Sequence, residues 1–228
     1  MKLNLFKSLF TLSTLLIPLF QGAMTHASDR LDELDNQTSL TQVMNSKNYG
    51  LNGIRYLRPV LPGLLYRGGG PGGKVELNHS TLQSLCESGF STAIYLYPEG
   101  FSGTKHVACS SQKHSQQSLS YEQTGFRGNS DRYQALKMIR DAAINNSGPV
   151  FVHCWNGWHA SGELSAIALI QFCGWEGEEA ANYWKSNIGD QGNVGKYGKI
   201  MHTYIAGFTP FNDLKLPEEL KRKYCPAR

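Results

Sequence analysis

His153, Cys154, Gly157, Ser161 and Gly162 fall within ten residues of one another, and they are the residue types that a nucleophilic site requires. A thiolate is a strong nucleophile, and a thiol of ordinary pKa ~8.5 ionises more readily at a helix N-terminus or beside a cation. The flanking sequence predicts such a place. Gly148-Pro149 punctuate the start of Val150–Val152, a short apolar run suited to a buried strand. From Ser161 the pattern turns helical, with Leu164, Ile167 and Ala168 on one face. The tight turn between them, Trp155, Asn156, Gly157, Trp158, His159 and Ala160, points successive backbone N–H groups into one concavity. These six residues are the expected anion-binding segment.

The spacing resembles the phosphate loop of the protein tyrosine and dual-specificity phosphatases, His-Cys-x-x-Gly-x-x-Arg-Ser/Thr-Gly. His153, Cys154, Gly157, Ser161 and Gly162 match it, whereas the position of the family arginine holds Ala160. The resemblance implies that Cys154 attacks phosphorus, that backbone amides hold the phosphoryl oxygens, and that the Ser161 hydroxyl assists departure of the thiolate. It also implies that His153 orients the turn by hydrogen bonding and that Gly162 supports it. Ala160 supplies neither donor nor charge. Loss of one donor acting on developing charge typically costs ~10²–10³ in rate, and loss of a bidentate cation costs more.

In the resembled family an aspartic acid on a separate loop protonates the leaving oxygen. The corresponding stretch here is Glu122-Gln123-Thr124-Gly125-Phe126-Arg127-Gly128. Glu122 is its nearest carboxylate, and Asp131 is more naturally a helix-start residue. Arg127 is a candidate to bring in the missing cation from outside, with His159 as a second candidate. Trp155 and Trp158 either line the mouth or pack. Two readings follow: an arginine-deficient, catalytically impaired binder of a phosphorylated or anionic ligand or of a protein partner, or an active cysteine phosphatase with a relocated cation. Thiol–disulfide chemistry is disfavoured because Cys154 has no second cysteine in a Cys-x-x-Cys spacing.

Other motifs carry less. Arg67-Gly68-Gly69-Gly70-Pro71-Gly72-Gly73-Lys74 has glycine spacings of nucleotide loops, but Val75 stands where a magnesium-holding hydroxyl belongs. Pro71 and the glycines also oppose a helix starting there, so the segment reads as a flexible surface turn. Leu65-Tyr66-Arg67 with Pro71 also looks like a segment that ends an early strand in phosphatase-like domains. His106, Cys109 and His114 lack the paired spacing of a zinc site. Neither a metal nor a cofactor is expected.

A length of 228 residues suits one domain with a core of its own, expected at residues 50–228. A net charge of +4, spread along the chain, gives no block directed at nucleic acid. Lys2 and Lys7 before the apolar run Leu9 to Phe20, with Thr25-His26-Ala27 behind it, read as a signal peptide over residues 1–27. A polar leader follows at 28–49. The expectation is an exported protein, periplasmic or secreted, without an integral membrane segment after cleavage. If Cys154 stays free, the other four cysteines can form two disulfides in any of three pairings, or remain buried thiols.

Strands are expected near 54–57, 64–66, 91–97, 119–122 and 150–152. Helices are expected near 80–88, 131–144, 161–173, 178–187 and 199–205, with a polar excursion over 99–117 and an exposed C-terminal tail. This order implies an α/β fold with helices predominating in the C-terminal half, and the resemblance implies a phosphatase-like domain with a central mostly parallel sheet flanked by helices.

Overall fold

The computed structural model of the chain describes Leu51 and residues 53–110, 117–188 and 196–226. The expected signal peptide (1–27) and polar leader (28–49), and His114, lie outside the described residues. In chain order the elements are β1 (Arg55–Leu61), β2 (Leu65–Gly69), α1 (His79–Glu87), β3 (Thr92–Tyr95), β4 (Lys105–Ala108), β5 (Ser118–Gln123), α2 (Asn129–Asn145) and β6 (Val150–Cys154). They continue with α3 (Ala160–Cys173), α4 (Gly177–Ser186), α5 (Lys196–Ala206), a short 3₁₀ turn (Asn212–Leu214) and α6 (Glu218–Tyr224).

The six strands form one sheet in the order β1-β2-β6-β3-β5-β4. The inner pairings β2–β6, β6–β3 and β3–β5 are parallel, and the two edge pairings are antiparallel. The expected α/β class with a mostly parallel sheet is therefore the observed one. β6 lies inside the sheet with every residue buried, which is why Val150–Val152 read as a continuous apolar run rather than an alternating one.

α3 is buried at every residue from Ala160 to Phe172. Leu164, Ile167, Leu169 and Phe172 join the main core against the sheet. Ala166 and Ile170 face the other way, into a second cluster with Ala180, Ala181 and Trp184 of α4 and Ile205 of α5. A helix covered on all sides is apolar round most of its surface and pairs the polar groups it buries, as Glu163 does with Arg132; this one carries the site at its first turn. Among the described residues no helix is long and apolar enough to cross a membrane.

Three expectations need correction. Arg67–Lys74 is not a flexible surface turn throughout, because Arg67, Gly68 and Gly69 belong to β2 and are buried. The strand expected at 64–66 continues through these glycines, where small residues let a loop lie across it. The polar stretch 99–117 contains the edge strand β4, and Cys109 just after it is bonded to Cys86. A sulfur held in a disulfide is not a thiolate ligand, so the His106–Cys109–His114 metal site is excluded.

The tail is not simply exposed either. Leu214, Leu216 and Tyr224 are buried in the core, and Cys225 is bonded to Cys173 at the end of α3. Among the open alternatives for the cysteines, the structure holds the pairs Cys86–Cys109 and Cys173–Cys225, and leaves Cys154 free.

Candidate active site

Cys154 is the last residue of β6 and Ala160 the first of α3. The sulfur of Cys154 lies 3.3 Å from Ser161 Oγ, in the first turn of the helix. The Ser161 hydroxyl is also 3.3 Å from the Gly68 carbonyl, which it can reach as donor. The thiol is 2 % exposed. It therefore meets a phosphorus atom only if an anion seats fully within the turn.

The carbonyl groups of the turn show which way its amides face. Cys154 O accepts from Gly70 N (2.9 Å) and Trp155 O from Arg55 Nη2 (2.7 Å). Gly157 O accepts from Arg58 Nη2 (3.2 Å), Trp158 O from Trp184 Nε1 (3.2 Å) and His159 O from Glu163 N (2.7 Å). These donors surround the turn from β1, the end of β2, α4 and α3. In a trans peptide the C=O and the following N–H point in opposite directions. The N–H groups of Trp155, Asn156, Trp158, His159 and Ala160 are thus turned away from those donors, at the N-terminus of a helix. This is the arrangement that favours an oxyanion.

Gly157 fixes the seat of the turn. Its φ is +74°, and a Cβ there would lie 2.6 Å from both Gly68 C and Gly69 N, so the turn rests directly on the backbone of β2. Gly162 has a different duty. A Cβ on it would stand 2.6 Å from Arg67 Nη1 and 2.8 Å from the Trp184 ring. The glycine leaves room for a guanidinium beneath the first turn of α3.

That guanidinium is the main feature which sequence reasoning missed. Arg67 (β2) and Arg58 (β1) are both buried, and both donate to Asn187 O, at 3.1 and 2.8 Å. Arg67 Nε and Nη1 and Arg58 Nε have no hydrogen-bond partner. Burial lowers the pKa of both, well below the ordinary value for Arg58, where the charge of Arg67 adds to the effect; Tyr183 and the Cys154 sulfur act oppositely on each. Arginine stays charged in proteins, so two cations flank a turn that lacks its own. The nearest buried carboxylate on α3, Glu163, is committed elsewhere, paired to Arg132 of α2 at 2.5 Å. The available signal was arginine within two adjacent, otherwise largely apolar segments, Arg55 and Arg58 in the first and Arg67 in the second.

The expected site residues distribute as follows. Ala160 is wholly buried, as are His153 and Ser161. Trp155 is 44 % exposed, while Trp158 is half-buried with its ring 5.7 Å from that of Tyr56. Asn156 is half-buried in the turn. The His159 ring is half-buried with Nε2 unpartnered, and burial lowers its pKa, favouring the neutral ring over a replacement cation. Glu122 is engaged by the hydroxyls of Thr104 (2.8 Å) and Ser120 (2.5 Å), toward the β4 edge. Arg127 is exposed, with its guanidinium 5.9 Å from the centre of the Phe126 ring, and its backbone N–H donates to Asp131. The structure thus gathers Cys154, Ser161 and the turn, and engages Glu122 elsewhere. Among the described residues, no three His, Cys, Asp or Glu side chains gather as a metal site.

His153 is stacked against Tyr95 (5.0 Å), Tyr121 and Phe151, and its Nε2 lies 2.8 Å from the Tyr121 hydroxyl. Burial pulls its pKa down from 6.5 to about 3. The folded protein therefore keeps the ring neutral, while the unfolded chain takes up a proton below 6.5. Stability due to this group is complete above 6.5 and is lost as pH falls toward 3, at up to about 1.4 kcal/mol per pH unit. His153→Gln should flatten the pH dependence of urea unfolding between pH 6.5 and 4 relative to wild type. Parallel curves would show that the ring is not held neutral.

No protein-family model matches this chain, and no curated protein matches it in sequence. Among solved structures, the chain is similar to the core catalytic domain of the PP-IP phosphatase SIW14 from S. cerevisiae in complex with citrate. That pair shares 16 % identity and a TM-score of 0.45, over 73 % of this chain and 88 % of that one. A second structure of the Siw14 catalytic core gives 16 % identity, a TM-score of 0.44 and the same coverage. The functional reading rests on this chain's own turn.

Proposed function

We propose that this is an exported, phosphatase-like protein whose Cys154 turn binds a phosphorylated or other anionic ligand, with hydrolysis impaired by Ala160. The observation that carries the reading is the free Cys154 thiol, 3.3 Å from Ser161 Oγ beneath a turn whose carbonyl groups are held by donors from β1, the end of β2, α3 and α4. A cradle of amides binds charge without the guanidinium that follows it into the transition state, so binding outlasts turnover. Two disulfides support an oxidising compartment and hence export to the periplasm or medium.

A second reading, an active cysteine-dependent phosphatase, is favoured by the buried cations Arg58 and Arg67 rather than by Arg127 or His159. Calorimetry with inorganic phosphate and turnover of an aryl phosphate separate the two. The first reading expects phosphate binding in wild type, with turnover near that of Cys154→Ser, and a gain of turnover in Ala160→Arg. Robust wild-type turnover lost in Cys154→Ser establishes the second reading. Absence of both phosphate binding and turnover overturns both.

A further inference from the structure

β1 contains an irregularity beside the turn. Its register runs from Arg55 opposite Gly69 to Arg58 opposite Arg67, three steps on one strand against two on the other. The extra residue is a β-bulge, and Tyr56 within it has φ +54°, a left-handed conformation that is uncommon for a non-glycine residue. Residues three apart on a regular strand project from opposite faces of a sheet. The bulge cancels that alternation. Arg55 and Arg58 consequently both reach the same turn, Arg55 at Trp155 O and Arg58 at Gly157 O.

Each arginine is anchored a second time. Arg55 Nε donates to Gly70 O at 2.9 Å, and Arg58 Nη1 donates to Tyr56 O, within the bulge, at 3.0 Å. The Tyr56 ring meanwhile packs beside Trp158. One strained residue thus coordinates three contacts with a turn about a hundred residues away in sequence. Strain at such a position persists only where surrounding contacts over-determine it.

We propose that the Tyr56 bulge, Arg55 and Arg58 form a positioning device for the anion cradle. By holding the carbonyls of Trp155 and Gly157 toward β1, the two arginines keep the N–H groups of Asn156 and Trp158 facing the anion, and they bring cationic charge behind the same peptides. The device rests on the anion-binding reading, but it makes a claim about the free protein as well. Arg55 and Arg58 act through the backbone of the turn and touch no reacting atom.

The test uses the purified full chain with Arg55→Gln, Arg55→Lys, Arg58→Gln and, as a charge control, the exposed Arg222→Gln. The affinity for inorganic phosphate is read by calorimetry, and the Asn156 and Trp158 amide signals are read by ¹⁵N NMR without ligand. Expected are at least tenfold weaker phosphate binding in Arg55→Gln and Arg58→Gln, partial recovery in Arg55→Lys, and binding within twofold of wild type in Arg222→Gln. The two amide signals should shift in both Gln variants before any ligand is added. Folded Gln variants with wild-type affinity and unmoved Asn156 and Trp158 signals overturn the proposal. If wild type binds no phosphate, the anion-binding reading fails, and the ligand-free amide signals alone decide whether the arginines hold the turn. Should Arg58→Gln fail to fold, the half-exposed Arg55 decides the outcome.

Discussion

Gly157→Ala is expected to lower stability by about 2–5 kcal/mol and to eliminate phosphate binding. Two effects combine. A left-handed backbone costs an L-residue roughly 1–2 kcal/mol. The added methyl must also enter a space already 2.6 Å from two backbone atoms of β2, which cannot rotate aside as a side chain would. The turn would have to lift from Gly68 and Gly69, carrying with it the carbonyl that Arg58 holds. Gly73→Ala is the control, with a nearly identical φ of +75° and nothing within 4 Å of the added atom. Thermal scans should show a drop of roughly 2–4 °C per kcal/mol for a domain of this size. If both variants lose equal stability, the packing of the turn on β2 is not what the glycine protects.

Opening the Cys173–Cys225 disulfide is expected to have a comparable effect. The bond closes a segment of 52 residues, for which the entropy of loop closure corresponds to about 4 kcal/mol in the unfolded chain. That is a large fraction of a typical total of ~5–15 kcal/mol. The C-terminal segment has other ties to α3, since Gln171 Nε2 donates to Phe211 O (2.9 Å) and Phe211 N donates back to Gln171 Oε1 (2.8 Å). These local bonds should keep the segment docked in the folded state, so that the loss appears mainly as a lower urea midpoint. Cys173→Ala/Cys225→Ala compared with wild type by urea unfolding measures it. An unchanged midpoint would show that the bond constrains nothing that the fold does not already fix.

The strand, turn and helix around Cys154 were readable because each announces itself locally. β6 is a continuous apolar run, α3 begins where helical spacing begins, and Asn78 caps α1 by accepting from Thr81 N at 2.9 Å. The cations were not readable. Arg58 and Arg67 acquire their role only when two strands far from Cys154 in sequence are laid under its turn, an outcome of sheet order rather than of spacing. The same holds for β4, a short edge strand in a polar segment, and for the tail, which looks exposed until its disulfide and its buried Leu214 and Leu216 are considered. Site chemistry is written in contiguous residues, whereas the burial of distant charges beside it is not.

With the other four cysteines paired, Cys154 is the one free thiol, and the fold keeps it covered. A small thiol reagent would therefore modify one position, at a rate set by how often the turn opens to uncover the sulfur. A ligand seated over that sulfur would slow the modification, so protection from the reagent is a readout suited to screening ligands whose identity is not known in advance.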